Sequence, residues 1–513
     1  MRTEMKRVFL FILAMGIQLS IAQTKSGSPA ATSPELRAKP EEGETVKTKG
    51  SVTVNGKVIN YTATTGYMPL KTEEGKLRAN IFYIAYTKDD GGDLSKRPVT
   101  YTFNGGPGSA SVWLHMGVIG PKRIVMSDKG AALTPPYAYT NNEYSWLDQS
   151  DLVFIDPVGT GFSRAAPGVD KSEFQGYNED IQSVGEFIKL YTTQNKRWGS
   201  PKFLAGESYG TTRAAGLSSY LQSAFKMYVN GIVLISAVLN FQTINFAIGN
   251  DLPYPLYLPS YAATSWYYQQ LSPEMQAKDL KTLTAEAEAF ALNEYSTALM
   301  KGDRLTETEY TSVVQKLSRY TGLPESFIRQ TNLRINLPQY NKELLRKDGK
   351  TVGRLDSRFT GIDYDDTGSS TEYDPSNTGT ISGPYTAGVL SYFGKELNYT
   401  NNLTYYILGG GVGRWNYSNV QNKYLNVAEY MRQAMSVNPS MKVWVLGGYY
   451  DFATPYFASK YVINHMGLRA EQAKNINFTY YEAGHMLYIH MPSLKQMKVD
   501  ADSFYKNTLQ EIK

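Results

Sequence analysis

The sequence predicts an α/β fold, in which a mostly parallel central sheet carries helices on both faces and a largely helical insertion interrupts it. Between residues 51 and 238, short strand-like runs alternate with amphipathic segments, and the alternation resumes over residues 383–513. Residues 239–382 show long helical patterns instead. Because strands that alternate with helices favour a parallel sheet covered on both sides, we expect 51–238 and 383–513 to form one domain and 239–382 to form a lid.

The elements before the insertion follow from local periodicity. Period-two alternation and apolar runs bounded by turn residues indicate strands, and apolar positions three or four residues apart indicate helices. The predicted elements are strands Ser51–Val58, Asn60–Met68, Leu77–Tyr86, Pro98–Phe103, Asp151–Ile155, Pro201–Ala205 and Gly231–Val238, and helices Tyr177–Thr192 and Thr211–Met227.

The same criteria give the elements of the insertion and of the second half of the sheet. A polar stretch over Thr360–Thr380 separates the two groups. The predicted elements are helices Ser272–Met300, Thr306–Tyr320, Ser326–Leu333 and Lys423–Met435, strand Lys442–Leu446, helix Tyr456–Met466, strand Ile476–Tyr481 and helix Ser493–Ile512.

The amino-terminal residues predict export. A basic start is followed by the apolar run Val8–Ala22, which is short for a membrane span, so residues 1–22 are interpreted as a signal peptide. Residues 23–50 are rich in Ser, Pro, Lys and Glu and predict a disordered leader. We therefore expect a periplasmic or extracellular protein without a membrane span after signal removal.

Composition excludes several classes of function. The 513 residues include no cysteine, which excludes thiol catalysis and cysteine metal sites. A net charge of +5 is too small to indicate a nucleic-acid partner. The sequence leaves the oligomeric state open.

The segment Gly206–Gly210, which reads Gly-Glu-Ser-Tyr-Gly, lies where the strand Pro201–Ala205 turns into the helix Thr211–Met227. Glycines on both sides of a serine permit a tight turn that holds the hydroxyl out of the sheet, at the helix N-terminus. We therefore interpret Ser208 as a nucleophile rather than as part of a structural turn.

A serine hydroxyl needs a base to remove its proton, and in sheet hydrolases of this kind the acid and then the base follow the serine along the chain. The sequence has four histidines. His115 precedes Ser208, His465 lies in a predicted helix, and His490 lies beyond the end of a strand. His485, in the loop after strand Ile476–Tyr481, is the predicted base.

The predicted acid is Asp451, which follows strand Lys442–Leu446. The carboxyl ends of parallel strands are where such sheets carry catalytic groups. Asp156 also ends a strand, but it precedes the serine, so we expect it to cap a turn instead.

The glycine-rich segment Asn104–Gly108 ends another predicted strand. In this architecture the corresponding loop supplies half of the oxyanion hole, and glycines let backbone N–H groups approach the substrate closely. The predicted donors are the N–H groups of Gly106 and Tyr209, the residue after the nucleophile.

Taken together, these motifs resemble the serine carboxypeptidase family. The matching segments are Asn104–Ser109, Gly159–Ser163, Gly206–Gly210, Gly447…Asp451…Pro455 and Gly484–Met486, in the family's order. The resemblance implies an α/β-hydrolase that removes C-terminal residues from peptides without a cofactor, with Ser208, Asp451 and His485 as its triad.

The resemblance also implies a substrate-binding set. Asn104 and Glu207 would bind the terminal carboxylate of the peptide, with Gly105 beside them, and Met486 would line the pocket for the leaving residue. Glu207 can donate to a carboxylate only when it is protonated, which requires a raised pKa and favours activity at acidic pH.

The sequence departs from the family at three positions. Val118 replaces the acidic partner of the glutamate, Thr102 replaces a tryptophan, and Ser109 replaces a cysteine. The first change weakens the case for carboxylate recognition, for which Lys122 or Arg123 is a possible substitute cation. An esterase or acyltransferase with the same triad is therefore the alternative, and a binding protein with an inactive hydrolase fold ranks last because every triad residue is present.

The polar stretch contains a partial calcium pattern. Asp363, Asp365 and Thr367, with Asp374 in the twelfth position, have the oxygen spacing of a calcium loop. The usual glutamate at the twelfth position is missing, so we expect a solvated acidic loop and no metal.

Overall fold

The computed structural model describes residues 45–510. The predicted signal peptide and the leader up to residue 44 lie outside the described residues. The first strand begins at Thr45, so residues 45–50, which were expected to be disordered, are part of a strand.

Fourteen strands lie within residues 45–510. They are β1 Thr45–Val54, β2 Lys57–Lys71, β3 Leu77–Lys88, β4 Val99–Phe103, β5 Lys122–Ile124, β6 Tyr139–Asn141, β7 Asp151–Ile155, β8 Arg164–Ala165, β9 Lys202–Glu207, β10 Gly231–Ile235, β11 Thr351–Val352, β12 Thr360–Gly361, β13 Lys442–Gly448 and β14 Ile476–Tyr481. Asn55 and Gly56, both at positive φ, form the turn between β1 and β2.

Ten of these strands form the central sheet, in the order β1-β2-β3-β7-β4-β9-β10-β13-β14 with β8 beside β3. The first strands pair antiparallel up to β7. From β7 to β14 every pair is parallel. The prediction of a mostly parallel sheet is confirmed.

The described residues also contain fifteen α-helices. They are α1 Val112–Leu114, α2 Tyr177–Gln194, α3 Tyr209–Phe225, α4 Pro253–Tyr267, α5 Pro273–Gln276, α6 Leu280–Phe290, α7 Ser296–Lys301, α8 Glu307–Thr321, α9 Glu325–Gln330, α10 Leu337–Glu343, α11 Ser382–Lys395, α12 Ala428–Val437, α13 Tyr456–Asn464, α14 Ala470–Ala473 and α15 Met491–Gln510.

The central parallel strands β7, β4, β9 and β10 are buried on both faces, and their alternate residues belong to two separate cores. In β9, Phe203 and Ala205 pack on the side that holds α11 and α15, whereas Leu204 packs on the side that holds α2, α3 and α12. This alternation follows from the two-residue period of a strand. Helices therefore cover both faces of the sheet, as predicted.

The chain between β10 and α11 is mostly helical and has a core of its own. Its aromatic and aliphatic side chains pack together with Phe452 and with Phe457 of α13. The prediction that Ser272–Met300 is largely helical is confirmed, because α5, α6, a π-helical turn over Ala291–Tyr295 and α7 cover most of it. The interruption between α5 and α6 has a local cause, because Asp279 accepts a hydrogen bond from the Thr282 N–H and so caps the start of α6.

The acidic stretch of the insertion is held by a lysine. The Lys342 Nζ donates to Asp363 Oδ2 at 2.6 Å and to the Asp365 carbonyl at 2.8 Å. Asp363 is buried, so the prediction of a solvated loop is wrong at this residue. The carboxylate of Asp363, the first residue of the calcium pattern, is therefore already bound to an ammonium group. No group of three or more His, Asp or Glu side chains that could hold a metal occurs within residues 45–510.

Candidate active site

Ser208 lies between β9 and α3 with φ 59° and ψ −129°, a conformation that non-glycine residues rarely adopt. A Cβ on Gly206 would lie 2.1 Å from the Gly210 carbonyl oxygen, and a Cβ on Gly210 would lie 2.7 Å from the Phe103 carbonyl oxygen. Both positions therefore require glycine, which explains the sequence pattern around the serine.

The structure brings Asp451 and His485 together. His485 Nδ1 donates to Asp451 Oδ2 at 2.8 Å, and Asp451 is fully buried. The other carboxylate oxygen, Oδ1, accepts from the Ala453 N–H at 2.8 Å and the Thr454 N–H at 3.0 Å. These bonds fix the orientation of the carboxylate and keep the second imidazole nitrogen of His485 free to act as a base.

Ser208 and His485 are anchored at the same end of β10. The Ser208 N–H donates to the Ile235 carbonyl at 3.0 Å, and the Ser236 hydroxyl donates to the His485 carbonyl at 2.6 Å. No hydrogen bond of the Ser208 hydroxyl occurs in the described part of the chain. In free hydrolases such bonds are often long and tighten when substrate binds.

Charges around His485 set its proton affinity. Burial alone lowers the pKa of an imidazole, but the charge and hydrogen bond of Asp451, with a contribution from Glu207, outweigh burial and the nearby Arg354 and raise the pKa of His485 above its usual value. The neutral imidazole that the predicted role of His485 as a base requires is therefore lost as the pH falls through this raised pKa.

Sequence reasoning missed Thr454. Its Oγ1 lies 2.9 Å from Asp451 Oδ2, 2.9 Å from the Ser236 carbonyl oxygen and 3.2 Å from His485 Nδ1. One hydroxyl thus ties the acid loop to β10. The only local signal is a threonine three residues after the aspartate, a common turn pattern that does not by itself indicate such a role.

The glycine-rich loop after β4 packs directly on the serine turn. A Cβ on Gly105 would lie 2.3 Å from the Tyr209 backbone nitrogen, and Gly106 has φ +104°, which favours glycine. The predicted donors, Gly106 in this loop and Tyr209 at the start of α3, therefore lie on two backbones that approach each other closely.

A buried ion pair behind this loop was also missed by sequence reasoning. Arg213 of α3 donates to both carboxylate oxygens of Asp180, at 2.7 and 3.1 Å, and its third contact is the Asn104 carbonyl at 2.6 Å. The guanidinium therefore fixes the glycine-rich loop to the helix that follows Ser208.

Glu207 lies one residue before Ser208 and is almost fully buried. Burial raises the pKa of Glu207 to about 7, although the charge of His485 and hydrogen bonds from Tyr488 and Asn104 oppose the rise. The Tyr488 hydroxyl donates to Glu207 Oε2 at 2.6 Å. A large fraction of Glu207 is therefore protonated near neutral pH and can donate to an anion.

The three departures from the family pattern have clear structural settings. Val118 is buried in the core, and Tyr488 rather than a carboxyl group is the hydrogen-bond partner of Glu207. Ser109 accepts from the Trp113 indole at 2.6 Å. Thr102 is buried, with a hydroxyl that has no partner in the described residues.

The remaining predicted residues fall into two groups. Lys122 pairs with Glu396 at 2.7 Å and Arg123 with Glu143 at 3.3 Å, so each of these cations already has a carboxylate partner, and its role as a substitute cation in carboxylate recognition stays a prediction. Met486 is buried in the core beside His485.

A family model described as serine carboxypeptidase matches residues 54–487. The pheromone-processing carboxypeptidase KEX1 of Saccharomyces cerevisiae (strain JAY291) is 32% identical over 158 residues, which are 28% of this chain and 20% of that protein. Serine carboxypeptidase-like 20 of Arabidopsis thaliana is 29% identical over 193 residues, which are 37% of this chain and 35% of that protein. The aligned segments thus span 20% and 35% of the lengths of these two relatives.

A solved structure shows the same fold. The crystal structure of KEX1(delta)p, a prohormone-processing carboxypeptidase from Saccharomyces cerevisiae, superposes with a TM-score of 0.51 at 15% identity. The match covers 87% of this chain and 92% of that one. The α/β-hydrolase architecture predicted from the sequence is confirmed.

Proposed function

This chain belongs to the serine carboxypeptidase family, and we propose that it releases C-terminal residues from peptides through an acyl-enzyme intermediate. The observation that carries the proposal is Glu207, a buried carboxyl with a pKa of about 7, one residue before Ser208. A protonated carboxyl beside Asn104 is suited to bind the terminal carboxylate of a peptide, and so to place the last peptide bond at the serine.

In the proposed reaction, the Ser208 hydroxyl gives its proton to His485 and attacks the carbonyl carbon of the last peptide bond. The N–H groups of Gly106 and Tyr209 bind the resulting oxyanion. His485 then gives the proton to the leaving amine, and water releases the acyl group by the same route in reverse. Asp451 holds the imidazole throughout, and Met486 is proposed to border the leaving residue.

The proposal has a definite pH dependence. Carboxylate binding needs protonated Glu207, so it is lost as the pH rises through the pKa of about 7. Base catalysis needs neutral His485, so it is lost as the pH falls through a pKa raised above the usual value. For a free-acid peptide, kcat/KM should therefore fall on both sides of an optimum near neutrality, whereas an ester lacks the alkaline fall.

The test compares one N-blocked peptide as the free acid, the C-terminal amide and the methyl ester, from about pH 4 to pH 9, which spans the carboxyl and imidazole titrations. The products are identified by mass spectrometry. We expect stepwise loss of residues from the free acid and weak action on the amide. Cleavage of the ester without any trimming of the peptide would instead indicate the alternative, an esterase or acyltransferase. A fluorophosphonate that fails to label Ser208 would indicate an inactive hydrolase fold.

Tyr488→Phe tests the partner of Glu207. Removing the donor to Glu207 Oε2 destabilises the carboxylate form, so the pKa of Glu207 should rise further. A hydrogen bond to a charged group contributes about 1.5–3 kcal/mol, so the alkaline limb of kcat/KM for free-acid peptides should move up by about one to two pH units. The measurement is the pH profile of peptide trimming.

The control for this variant is Tyr385→Phe. Burial raises the pKa of Tyr385 and the charge of Glu207 adds to the rise, so the two groups are close, but the hydrogen bond to Glu207 comes from Tyr488. Tyr385→Phe should leave the alkaline limb in place. Equal shifts in both variants, or none in Tyr488→Phe, would contradict the assignment of Tyr488 as the partner.

Export is part of the same proposal and rests on the basic and apolar residues 1–22. Among residues 45–510, no helix combines the length and the apolar character that crossing a bilayer requires. Amino-terminal sequencing of the mature protein would test it, and a start near Gln23 is expected.

A further inference from the structure

The insertion reaches into the triad through one short stretch, Arg354–Arg358, here called the strap. It lies between the loop that carries Asp451 and the loop that carries His485. On the side of the insertion, the strap is fixed by the Ser376 hydroxyl, which accepts from the N–H groups of Leu355 and Asp356 at 3.0 and 3.1 Å.

The strap bonds to the residues on both sides of Asp451. The Arg354 carbonyl accepts from the Phe452 N–H at 3.1 Å, and the Ser357 N–H donates to the Tyr450 carbonyl at 3.0 Å. The loop that holds the acid therefore has a second layer of backbone hydrogen bonds, supplied by the insertion.

The strap also bonds to the base itself. The His485 N–H donates to the Leu355 carbonyl at 2.6 Å, and the Gly484 N–H donates to Asp356 Oδ2 at 3.2 Å. A Cβ on Gly484 would lie 2.4 Å from the Cβ of Asp356. The histidine loop is thus in direct contact with the strap, and Gly484 must be glycine to allow it.

A buried ion pair makes this contact rigid. Asp356 binds Arg358 through both carboxylate oxygens, at 2.9 and 2.6 Å, and the side chains are 3% and 8% exposed. The Arg358 guanidinium also donates to the Glu482 carbonyl at 2.8 Å. The ion pair therefore holds the backbone of the three residues before His485 at both ends, with Arg358 on the Glu482 carbonyl and Asp356 on the Gly484 N–H.

We propose that the strap is a positioning element for the reaction, in which Asp356 and Arg358 set the place of His485 relative to Asp451. The inference rests on the proposed function, because it assigns to the insertion a role in the alignment of the same triad. Acid and base are on separate loops after β13 and β14, and the strap bonds to both. A covering lid alone would not need these contacts.

The test is Asp356→Asn, which keeps the size of the side chain but removes the charge that binds Arg358. A displacement of about 1 Å at a catalytic group can lower the rate by about 100-fold, so kcat on an activated ester should fall by about 10- to 100-fold with KM little changed. The rate at which a fluorophosphonate labels Ser208 should fall in parallel. The acidic limb of the pH profile of kcat should also move. This limb reports the ionisation of His485, which the charges of Asp451, Glu207 and Arg354 influence.

The matched control is Asp363→Asn. This substitution breaks the ion pair between Asp363 and Lys342, which is also buried in the insertion but lies away from both triad loops. The side chains of Asp363 and Lys342 are 0% and 4% exposed. We expect a similar fall in unfolding temperature with wild-type kcat and labelling rate. Equal kcat in the two variants, whether both retained or both reduced, would overturn the proposal.

Two further readouts keep the outcomes separate. If Asp356→Asn does not fold, Arg358→Lys replaces it, because lysine keeps the charge beside Asp356 but lacks the forked donors that also reach Glu482. That variant should fold and show a smaller fall in kcat, and a wild-type kcat would overturn the proposal. Ester hydrolysis and fluorophosphonate labelling require only the triad. If the wild-type protein shows both but trims no peptide, the carboxypeptidase assignment is wrong and the proposal for the strap can still be tested. A wild-type protein that is not labelled overturns both.

Discussion

Asp451→Asn is expected to lower kcat by about 10⁴-fold, the effect of forcing the wrong imidazole tautomer in such triads. Oδ1 of Asp451 accepts from two backbone N–H groups, of Ala453 and Thr454, so the carbonyl oxygen of an asparagine would be held at that place. Its NH₂ group would then face His485 Nδ1 and donate to it. The imidazole proton would move to Nε2, where it blocks acceptance of the serine proton.

The measurement is kcat and KM on an ester, together with the unfolding temperature. KM should change little, because the substitution removes an interaction that matters in the transition state. The control is Asp156→Asn: this aspartate is buried with a pKa raised by burial to about 6, and it accepts from the Ser111 N–H and hydroxyl, away from the triad. It should keep wild-type kcat. An Asp451→Asn enzyme within tenfold of wild type would contradict the assignment of the acid.

Local patterns predicted the parallel part of the sheet well. Asp151–Ile155 and Ile476–Tyr481 match β7 and β14 residue for residue, because each is a strand-forming run bounded by turn residues. The position of the serine turn was equally readable, since its two glycines are required by backbone contacts with near neighbours in the sheet. Information of this kind lies within a few residues of the feature that it predicts.

Two elements, one in the insertion and one at the edge of the central sheet, were missed for physical reasons. Helix α4 was missed because residues 253–265 are all buried, so it has no polar face to give it a helical period, and it contains Pro259. Strand β1 was missed at its start because Thr45–Gly50 is polar and is ordered only by pairing with β2. In both cases tertiary packing, rather than local pattern, decides the structure.

The partners of the candidate site could not be inferred from the sequence because they are distant along the chain. Tyr488 bonds to Glu207 across 281 residues, and Asp356 bonds to Gly484 across 128. Short motifs predict the groups that are proposed to face the substrate, but the groups that hold them in place are brought there by the fold. The sequence therefore showed the missing acidic residue at Val118 but not the tyrosine that bonds to Glu207 instead.

Gly105→Ala is expected to lower kcat by about 10²- to 10³-fold, the loss seen when one oxyanion donor is removed. The new Cβ would lie 2.3 Å from the Tyr209 nitrogen and 2.8 Å from both the Glu207 oxygen and the Gly210 nitrogen. All three are backbone atoms, so no side-chain rotation relieves the contact. The glycine-rich loop and the serine turn must separate, and with them the two N–H groups proposed to bind the oxyanion.

Stability must be measured beside activity for this variant, because the same contact also strains the fold. Gly394→Ala is the matched control: it lies in α11, its Cβ would meet nothing within 4 Å, and alanine is favoured over glycine in a helix by about 1 kcal/mol. It should retain kcat and unfold at an equal or higher temperature. If Gly105→Ala is folded at the assay temperature and keeps wild-type kcat, the oxyanion is bound elsewhere, because the loop cannot accept the methyl group without moving its donors.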